Sequence, residues 1–260
     1  MDFPDTPRVI YRNNPLVEVL FQIRVPRTLA VEARLPVEFQ DAVKADFPIL
    51  RTRQERTVTV VVGSPLAQSN IPVSTLYDFL SADEILKVTL SSEFLALSTS
   101  RYEIWDKFRL VGEKLINDFL NIYSPPIVTR IGLRYKDVIQ KDKINAKDKV
   151  WKDLISENIS GVLQNAQNLK EEEDVDIYTS STRFKIPDGL ATLKHGFVRN
   201  SQTQEKGYLI DTDYFCEGNL EATPDAILDR LDKFNRYSRR VFRWCISDTL
   251  VRAVDPKPFP

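Results

Sequence analysis

Histidine and cysteine are scarce in this chain of 260 residues, which has one histidine, His195, and two cysteines, Cys216 and Cys245. A single histidine excludes a multi-histidine zinc site and requires any Ser–His–Asp or Cys–His catalysis to use His195. Because His195 falls in a predicted strand, we interpret it as a structural or surface residue. Two cysteines far apart in sequence argue against a disulfide scaffold and fit a reducing cytoplasm.

Glycine-rich loops and long apolar runs are also missing. Only 8 glycines occur, and no Gly-x-Gly-x-x-Gly or Walker-type loop is present, which argues against the familiar nucleotide-binding folds. No apolar stretch approaches the roughly 20 residues of a membrane span, and the first residues do not resemble a signal peptide. The net charge of -1 gives no overall field that favours nucleic acid. We therefore expect a cytoplasmic protein that does not enter a membrane.

The segment Ile127–Ile139 is typical of a strand, because β-branched and aromatic residues fill it after Pro125-Pro126. Side chains alternate between the two faces of a strand. One face suits a core and carries Thr129, Ile131, Leu133, Tyr135, Asp137 and Ile139. The other face is a row of cations around a glycine and carries Arg130, Gly132, Arg134, Lys136 and Val138.

The segment Leu16–Val25 alternates in the same way. Its apolar face carries Val17, Val19, Phe21, Ile23 and Val25, and its other face includes Glu18, Gln22 and Arg24. We predict that both strands lie in one antiparallel sheet, so that six polar residues share a surface. These candidate ligand-binding residues are Arg130, Arg134, Lys136, Glu18, Gln22 and Arg24. Cations outnumber the single acid, which favours an anionic ligand or an acidic partner segment; the alternative is an ordinary solvated face with ion pairs.

Hydrophobic spacing predicts four helices: Leu35–Phe47, Ile104–Tyr123, Val150–Leu163 and a last helix that opens at Thr223-Pro224-Asp225. The further predicted strands are Thr57–Val62, Thr75–Leu80, Ile85–Leu90, Phe94–Ser98, Val175–Ile186, Leu190–Arg199, Tyr208–Phe215 and Leu250–Val254.

The order β-α-β(3–4)-α occurs twice, in halves 1–123 and 124–260 that we expect to form one compact unit. This α+β order resembles the tandem arrangement of TATA-box-binding-protein-like folds. A helix-grip sheet of the SRPBCC type is the alternative.

Four segments carry a further resemblance. They are Asn14-Pro-Leu-Val-Glu-Val-Leu-Phe-Gln-Ile-Arg24, Trp105 at the head of the first long helix, Val128-Thr-Arg-Ile-Gly-Leu-Arg-Tyr135, and Gly207-Tyr-Leu-Ile-Asp-Thr-Asp213. Together they resemble a sporadically distributed prokaryotic family of about this length whose function is unknown. The resemblance implies no activity and no catalytic residues. Patchy distribution is common among mobile-element and defence loci, so it implies an accessory role at such a locus.

Three functional hypotheses compete. The leading one is a non-catalytic binding or assembly protein whose charged sheet face takes a protein partner, a second copy or a small anionic ligand. The second is a metal-dependent phosphoryl or nucleotide-processing enzyme, in which Asp211 and Asp213 hold Mg²⁺ beside Arg130 and Arg134. The third, less favoured, is a nucleic-acid binder that uses the basic helix Arg230–Arg243. The sequence identifies no catalytic residue and no cofactor.

Overall fold

A computed structural model describes residues 3–56, 73–165 and 174–259, and within them the protein has an α+β fold with a large antiparallel sheet. The predicted class is therefore confirmed. The strands are β1 (Val9–Tyr11), β2 (Leu16–Arg24), β3 (Ile49–Arg56), β4 (Val73–Leu80), β5 (Leu86–Leu90), β6 (Phe94–Thr99), β7 (Val128–Ile139), β8 (Thr179–Ile186), β9 (Gly189–Arg199), β10 (Lys206–Leu220) and β11 (Pro256–Pro258).

Two long helices and six short ones accompany the sheet in the described residues. The helices are α1 (Leu29–Ala33), α2 (Val37–Val43), α3 (Trp105–Tyr123), α4 (Trp151–Leu154), α5 (Glu157–Ser160), α6 (Val162–Asn165), α7 (Pro224–Cys245) and α8 (Asp248–Ala253). Helix α7 begins as predicted, because Thr223 caps it by accepting a hydrogen bond from the Ala226 amide at 3.4 Å and Pro224 occupies its first turn. None of these helices is both long enough and apolar enough to cross a bilayer.

The nine strands of the main sheet lie in the order β3-β4-β5-β6-β2-β7-β10-β9-β8, and β1 pairs with β11 in a separate ribbon. Strands β2 and β7 are antiparallel neighbours at the centre, with Phe21 opposite Leu133 and Gln22 opposite Gly132. The prediction that these two strands share one sheet is confirmed. Moving outwards, β6, β5, β4 and β3 follow β2, and β10, β9 and β8 follow β7. Each half therefore places its first strand at the centre and its last strand beside it.

The inner face of the sheet is apolar and packs against α3 and α7. Hydrophobic patterning predicts a core that includes ten residues, and all ten are buried: Val19, Phe21, Ile23, Ile131, Leu133, Phe108, Leu115, Phe119, Leu231 and Phe234. The prediction for Val17 is wrong, since this side chain is 41% exposed. The reason is a bulge between Leu16 and Glu18, which shifts the pairing with β7 and turns Val17 away from the core.

Close packing and one hydrogen-bonded cluster hold the two long helices. Gly112 of α3 lies over Phe21, where an added Cβ would stand 2.7 Å from the ring. The Trp105 indole donates a hydrogen bond to Asp232 of α7 at 2.6 Å, and Arg109 donates to the same carboxylate at 3.1 Å. A carboxylate shared between an indole and a guanidinium fixes how α3 and α7 sit on the sheet.

Three predicted elements differ in the structure. The helix predicted at Leu35–Phe47 is only Val37–Val43, because Pro36 precedes its first turn and the turn at residues 44–46 ends it. The single helix predicted at Val150–Leu163 is three short helices, with Gly161 at a φ of +50° before the last. The predicted strand Leu250–Val254 belongs to α8, which Ser247 caps by accepting from the Leu250 amide at 3.2 Å. The strand predicted at Thr57–Val62 lies outside the described residues.

Candidate functional site

The outer face of the central strands carries the residues that the sequence singled out. We call it the charged sheet face, and it comprises Glu18, Gln22 and Arg24 of β2, Arg130, Arg134 and Lys136 of β7, and Asp211, Asp213 and Glu217 of β10. The register sets Glu18 opposite Lys136 and Arg24 opposite Arg130. On the other side of β7, Asp211 lies opposite Lys136 and Asp213 opposite Arg134. The structure therefore brings the predicted anion-binding and metal-binding residues onto one surface.

These residues pair with one another. Arg134 makes a bidentate contact with Asp211, at 2.7 Å from Nε and 2.5 Å from Nη2, and Arg130 donates to Asp213 at 2.7 Å. The cations Arg24, Arg130, Arg134 and Lys136 now face the acids Glu18, Asp211, Asp213 and Glu217, so the face has four charges of each sign. A balanced face gives little net attraction for an anion or for a metal ion.

The space above Gly132, which lacks a side chain of its own, is filled by Arg130. The Arg130 guanidinium lies over the Gly132 Cα, so that a Cβ there would collide with it, and it also lies 4.7 Å from the centroid of the Phe215 ring. The glycine thus makes room for an arginine of its own strand, and that arginine packs on an aromatic ring by a cation–π contact.

His195 is buried on the inner face, as a structural histidine would be. Its Nδ1 lies 2.9 Å from the Tyr208 hydroxyl, and the Tyr178 ring packs edge-on against it at 5.9 Å. Burial lowers the pKa of His195, which keeps the imidazole neutral.

The basic residues of α7 are largely neutralised. Four of them form ion pairs within the described part of the chain: Arg230 with Asp188, Lys233 with Asp229, Arg240 with Asp5, and Arg243 with Asp248. Phosphate backbones are bound by cations that can exchange small counterions, so paired arginines are poor candidates for this role.

A cavity of about 300 Å³, which the sequence did not reveal, lies on the other side of the sheet. Its walls come from the segment 6–11, the ribbon of β1 and β11, the start of α3, the middle of α7, and the inner face of β7. We call it the strap pocket, after the β1–β11 ribbon, the strap, which lines it. Directly after β1, the amides of Arg12 and Asn13 donate hydrogen bonds to the carbonyls of Asp255 and Val254 at 3.1 and 3.2 Å, which fasten the strap.

One wall of the strap pocket contains Asp137 of β7. The residue is 7% exposed, and its carboxyl group makes no hydrogen bond or ion pair with the residues that the structure describes. Burial, together with the negative charge of Asp211, raises the pKa of Asp137 to about 8. The carboxyl group is therefore protonated at neutral pH and can donate a hydrogen bond.

A second polar group, Arg239 of α7, lines the same pocket. Its Nε is buried without a hydrogen-bond partner, and the same is true of the Thr6 hydroxyl, which also lines the cavity. Burial, followed by the nearby charge of Arg8, lowers the pKa of Arg239. A guanidinium whose surroundings disfavour its charge attracts an anion.

Tyrosines complete the floor of the pocket. The Tyr135 hydroxyl donates to the Asn235 side chain at 2.9 Å, and Tyr102 packs edge-on against Tyr135 at 5.9 Å. Burial raises the pKa of Tyr102 to about 12, so this phenol stays neutral at physiological pH. The tyrosines are thus fixed and uncharged, and Asp137 and Arg239 are the two ionisable groups of the pocket without a partner.

One residue in the sequence could have indicated this site: Asp137, a carboxylate on the face of β7 that alternation assigns to the core. Alternation placed it beside Tyr135 and Ile139, and a buried acid in such a position marks a candidate site. Arg239 carried no such signal, because it is one of many basic residues in α7. In the described ranges 3–56, 73–165 and 174–259, no three His, Cys, Asp or Glu side chains cluster as metal ligands would.

Comparison of the chain with protein-family models, with curated proteins and with solved structures finds no match in any of the three.

Proposed function

We propose that this chain is a binding protein that holds a small organic ligand in the strap pocket. The observation that carries the proposal is a mostly apolar cavity whose walls hold the buried carboxyl group of Asp137, together with the Arg239 Nε and the Thr6 hydroxyl, which are buried without hydrogen-bond partners. Ligand sites in proteins are concave, largely apolar, and furnished with a few polar groups that orient the ligand.

Asp137 and Arg239 both lower the stability of the folded protein while they lack a partner. A buried donor or acceptor without a partner costs about 1–3 kcal/mol, and more when it is charged. A ligand that satisfies Asp137 and Arg239 removes this cost while it buries its own apolar surface. Unpartnered groups that persist in a pocket are thus better suited to binding than to stability.

A filled-pocket variant tests the proposal. A library of small neutral, acidic and basic fragments is screened by ligand-observed NMR, and we expect a set of fragments to bind the wild-type protein. Ser238→Leu, whose side chain is buried and lines the pocket, should abolish this binding. Asp229→Leu, at an exposed site on the same helix that does not line the pocket, is the matched control and should leave binding intact.

Val251→Phe is a second filler, placed on α8, in case Ser238→Leu does not fold. Circular dichroism establishes which variants are folded. The proposal is overturned if no fragment binds the wild-type protein, or if a folded filled variant binds the same fragments as the control.

A second copy of this chain at the charged sheet face is the second candidate function. What supports it is the equal number of charges of each sign on a face opposite to α3 and α7, since such a surface can complement itself across a two-fold axis. Size-exclusion chromatography with light scattering should then show a dimer that Lys136→Glu, together with Arg24→Glu, converts to a monomer. A wild-type monomer at high concentration would remove this candidate.

The tandem fold, the metal-dependent enzyme, the nucleic-acid binder and the family resemblance are supported to different degrees. The order of strands outwards from β2 and β7 supports a tandem, TATA-box-binding-protein-like arrangement of two halves. The ion pairs of Asp211 and Asp213 with arginine count against the metal-dependent enzyme, and the ion pairs along α7 count against the nucleic-acid binder. Membership of the sporadically distributed prokaryotic family, with an accessory role at a mobile-element or defence locus, rests on the sequence segments alone.

A further inference from the structure

The two unpartnered groups of the strap pocket lie in different surroundings. Tyr11, Tyr214 and Cys245 surround Asp137 closely enough for its charge to raise their pKa values. Arg239 instead lies among Arg8, Arg236 and Arg240, with Asp5 as the nearby acid. Arg239 is not among the charges that act on Asp137. The pocket therefore has a cationic end and a separate acid end.

The packing of α7 along β7 agrees with this separation. Asn235 contacts the Tyr135 hydroxyl, whereas Phe242 packs edge-on against Tyr11 at 5.7 Å, nearer to Asp137. Arg239 lies between these contacts, one turn before Arg243, and four residues of helix rise about 6 Å.

The cationic end is not neutralised by the acids around it. Asp106 is occupied by Arg8, Asp5 is occupied by Arg240, and Glu103, which lines the pocket, is bound by Lys107 at 2.5 Å. The Arg239 guanidinium makes no hydrogen bond or ion pair with any residue in the described ranges, and its Nε is buried. An anionic group of a ligand is the partner that it lacks.

Apolar side chains form much of the wall of the cavity. They include Ile10, Leu16, Trp105, Phe242, Val251 and Phe259. Flat rings and branched aliphatic groups fit such walls, and each buried methylene group contributes about 0.8 kcal/mol. The volume of about 300 Å³ is at the small end of the range for ligand sites, which favours a compact molecule.

We propose that the ligand class of the strap pocket is a small organic anion with an apolar body, whose anionic group pairs with Arg239 and whose far end accepts a hydrogen bond from Asp137. This inference rests on the proposed function, since it names the ligand of the same site. The acid end must carry its proton, because an ionised Asp137 could not donate to the ligand and would repel its negative charge.

Four probes of similar size test the ligand class by isothermal titration calorimetry at pH 6.5: phenylacetate, phenyl phosphate, benzylamine and benzyl alcohol. We expect the two anions to bind at least 10-fold more tightly than the amine and the alcohol. The difference between the two anions shows whether a carboxylate or a phosphate is the better group. Arg239→Gln should weaken the anions at least 10-fold, while Arg34→Gln, an exposed arginine that does not line the pocket, should not.

A pH series tests the acid end. Raising the pH from 6.5 to 9 should weaken the anions in the wild-type protein at least 5-fold, and Asp137→Asn should remove this pH dependence. Other titrating or charged groups around Asp137 are Tyr11, Tyr214, Cys245 and Asp211, together with the cation of Arg243, which acts on Tyr11. The Asp137→Asn comparison separates their contribution from that of Asp137.

The binding results separate a wrong ligand class from a pocket that binds no ligand at all. If the amine or the alcohol binds as tightly as the anions and the Ser238→Leu variant abolishes that binding, the pocket is a ligand site and the anion inference is wrong. If Arg239→Gln binds the anions like the wild-type protein, the inference is also wrong. If the four probes and the fragment library all fail to bind, both proposals fail together.

Discussion

At the scale of single residues, the chemistry of this protein depends on which polar side chains find partners. Arg130 and Arg134 find Asp213 and Asp211 across the β7–β10 pairing, whereas Asp137, three positions further along β7 than Arg134, turns inwards and finds none. The outer face is therefore satisfied and the inner pocket is not. Unsatisfied buried groups, more than exposed charges, mark a site for a ligand.

Asp137 should make stability depend on pH. Its pKa is about 8 in the folded protein and near 3.8 in the unfolded chain, so the unfolded chain loses this proton first as the pH rises. The stabilisation is complete below about pH 4 and is lost between pH 4 and 8. Asp137→Asn should gain stability relative to the wild-type protein across this range, by about 5 kcal/mol at pH 8 and by little at pH 4.

Urea denaturation at intervals between pH 4 and 9 measures this difference. Asp142→Asn, in the charged turn after β7, is a suitable control because Asp142 is exposed. A difference between Asp137→Asn and the wild-type protein that is the same at pH 4 and pH 8 would mean that Asp137 titrates normally.

The Arg134–Asp211 pair should be structural. The Asp211 side chain is 8% exposed, against 40% for Arg134, so removal of the arginine leaves a nearly buried carboxylate without its main partner. We expect Arg134→Gln to lower the free energy of unfolding by about 1–3 kcal/mol. Arg24→Gln, at an exposed position on the same face, should change it by less than about 0.5 kcal/mol.

A double-mutant cycle with Asp211→Asn isolates the interaction, since the coupling vanishes once either partner is gone. Equal losses for Arg134→Gln and Arg24→Gln would show that the pair contributes nothing. The charge reversal Arg130→Glu with Arg134→Glu should for the same reason destabilise the fold, so it is a poor test of partner binding at the charged sheet face.

At the scale of elements, β2 shows how one irregularity changes the assignment of side chains. Its residues from Val19 to Val25 alternate as the sequence predicts, but the bulge after Leu16 breaks the alternation at Val17. Leu16 thereby faces the inner side, where it lines the strap pocket. The bulge thus removes one apolar residue from the core and gives another to the pocket wall.

Matched substitutions test the position of the bulge. Val17→Thr should change the free energy of unfolding by no more than about 0.5 kcal/mol, because the side chain is already exposed to water. Val19→Thr places a hydroxyl group in the core and should cost about 1–3 kcal/mol. Chemical denaturation of both variants gives the comparison, and similar losses would contradict the bulge.

At the scale of the whole molecule, the two halves meet along the central strands. The pairing of β2 with β7 and the packing of α3 on α7 join residues from both sides of the boundary at position 123, and the buried apolar residues form one cluster. If the halves separated, β2 and β7 would become unpaired edges with apolar inner faces. We therefore expect the two halves to unfold together.

Phe119→Ala, in the first half, tests this cooperativity. Phe119 is buried against the ring of Tyr123, and its truncation should cost about 3–5 kcal/mol. Amide hydrogen exchange of β9, in the second half, should lose protection by the same free energy. Unchanged protection in β9 would mean that the halves unfold independently.

The sequence by itself determined the local elements and most of the core. Alternation identified β2 and β7, helical spacing identified α3 and α7, and the Thr223-Pro224 pair located the start of α7. These features are encoded in neighbouring residues, because side-chain period and capping need no distant contact. The same reasoning assigned one continuous helix to Val150–Leu163, since the turn at Gly161 interrupts an apolar pattern without changing its spacing.

Only the tertiary structure decided which site is free to bind. The position of β10 beside β7 brought three acids to the cations of the charged sheet face and balanced a surface that sequence alone made basic. The strap pocket requires both chain ends, α7 and β7 to meet, and the state of Asp137 follows from that burial. Pairing between strands some 70 to 80 residues apart and the electrostatics of an enclosed cavity are properties of the folded arrangement, and no local pattern encodes them.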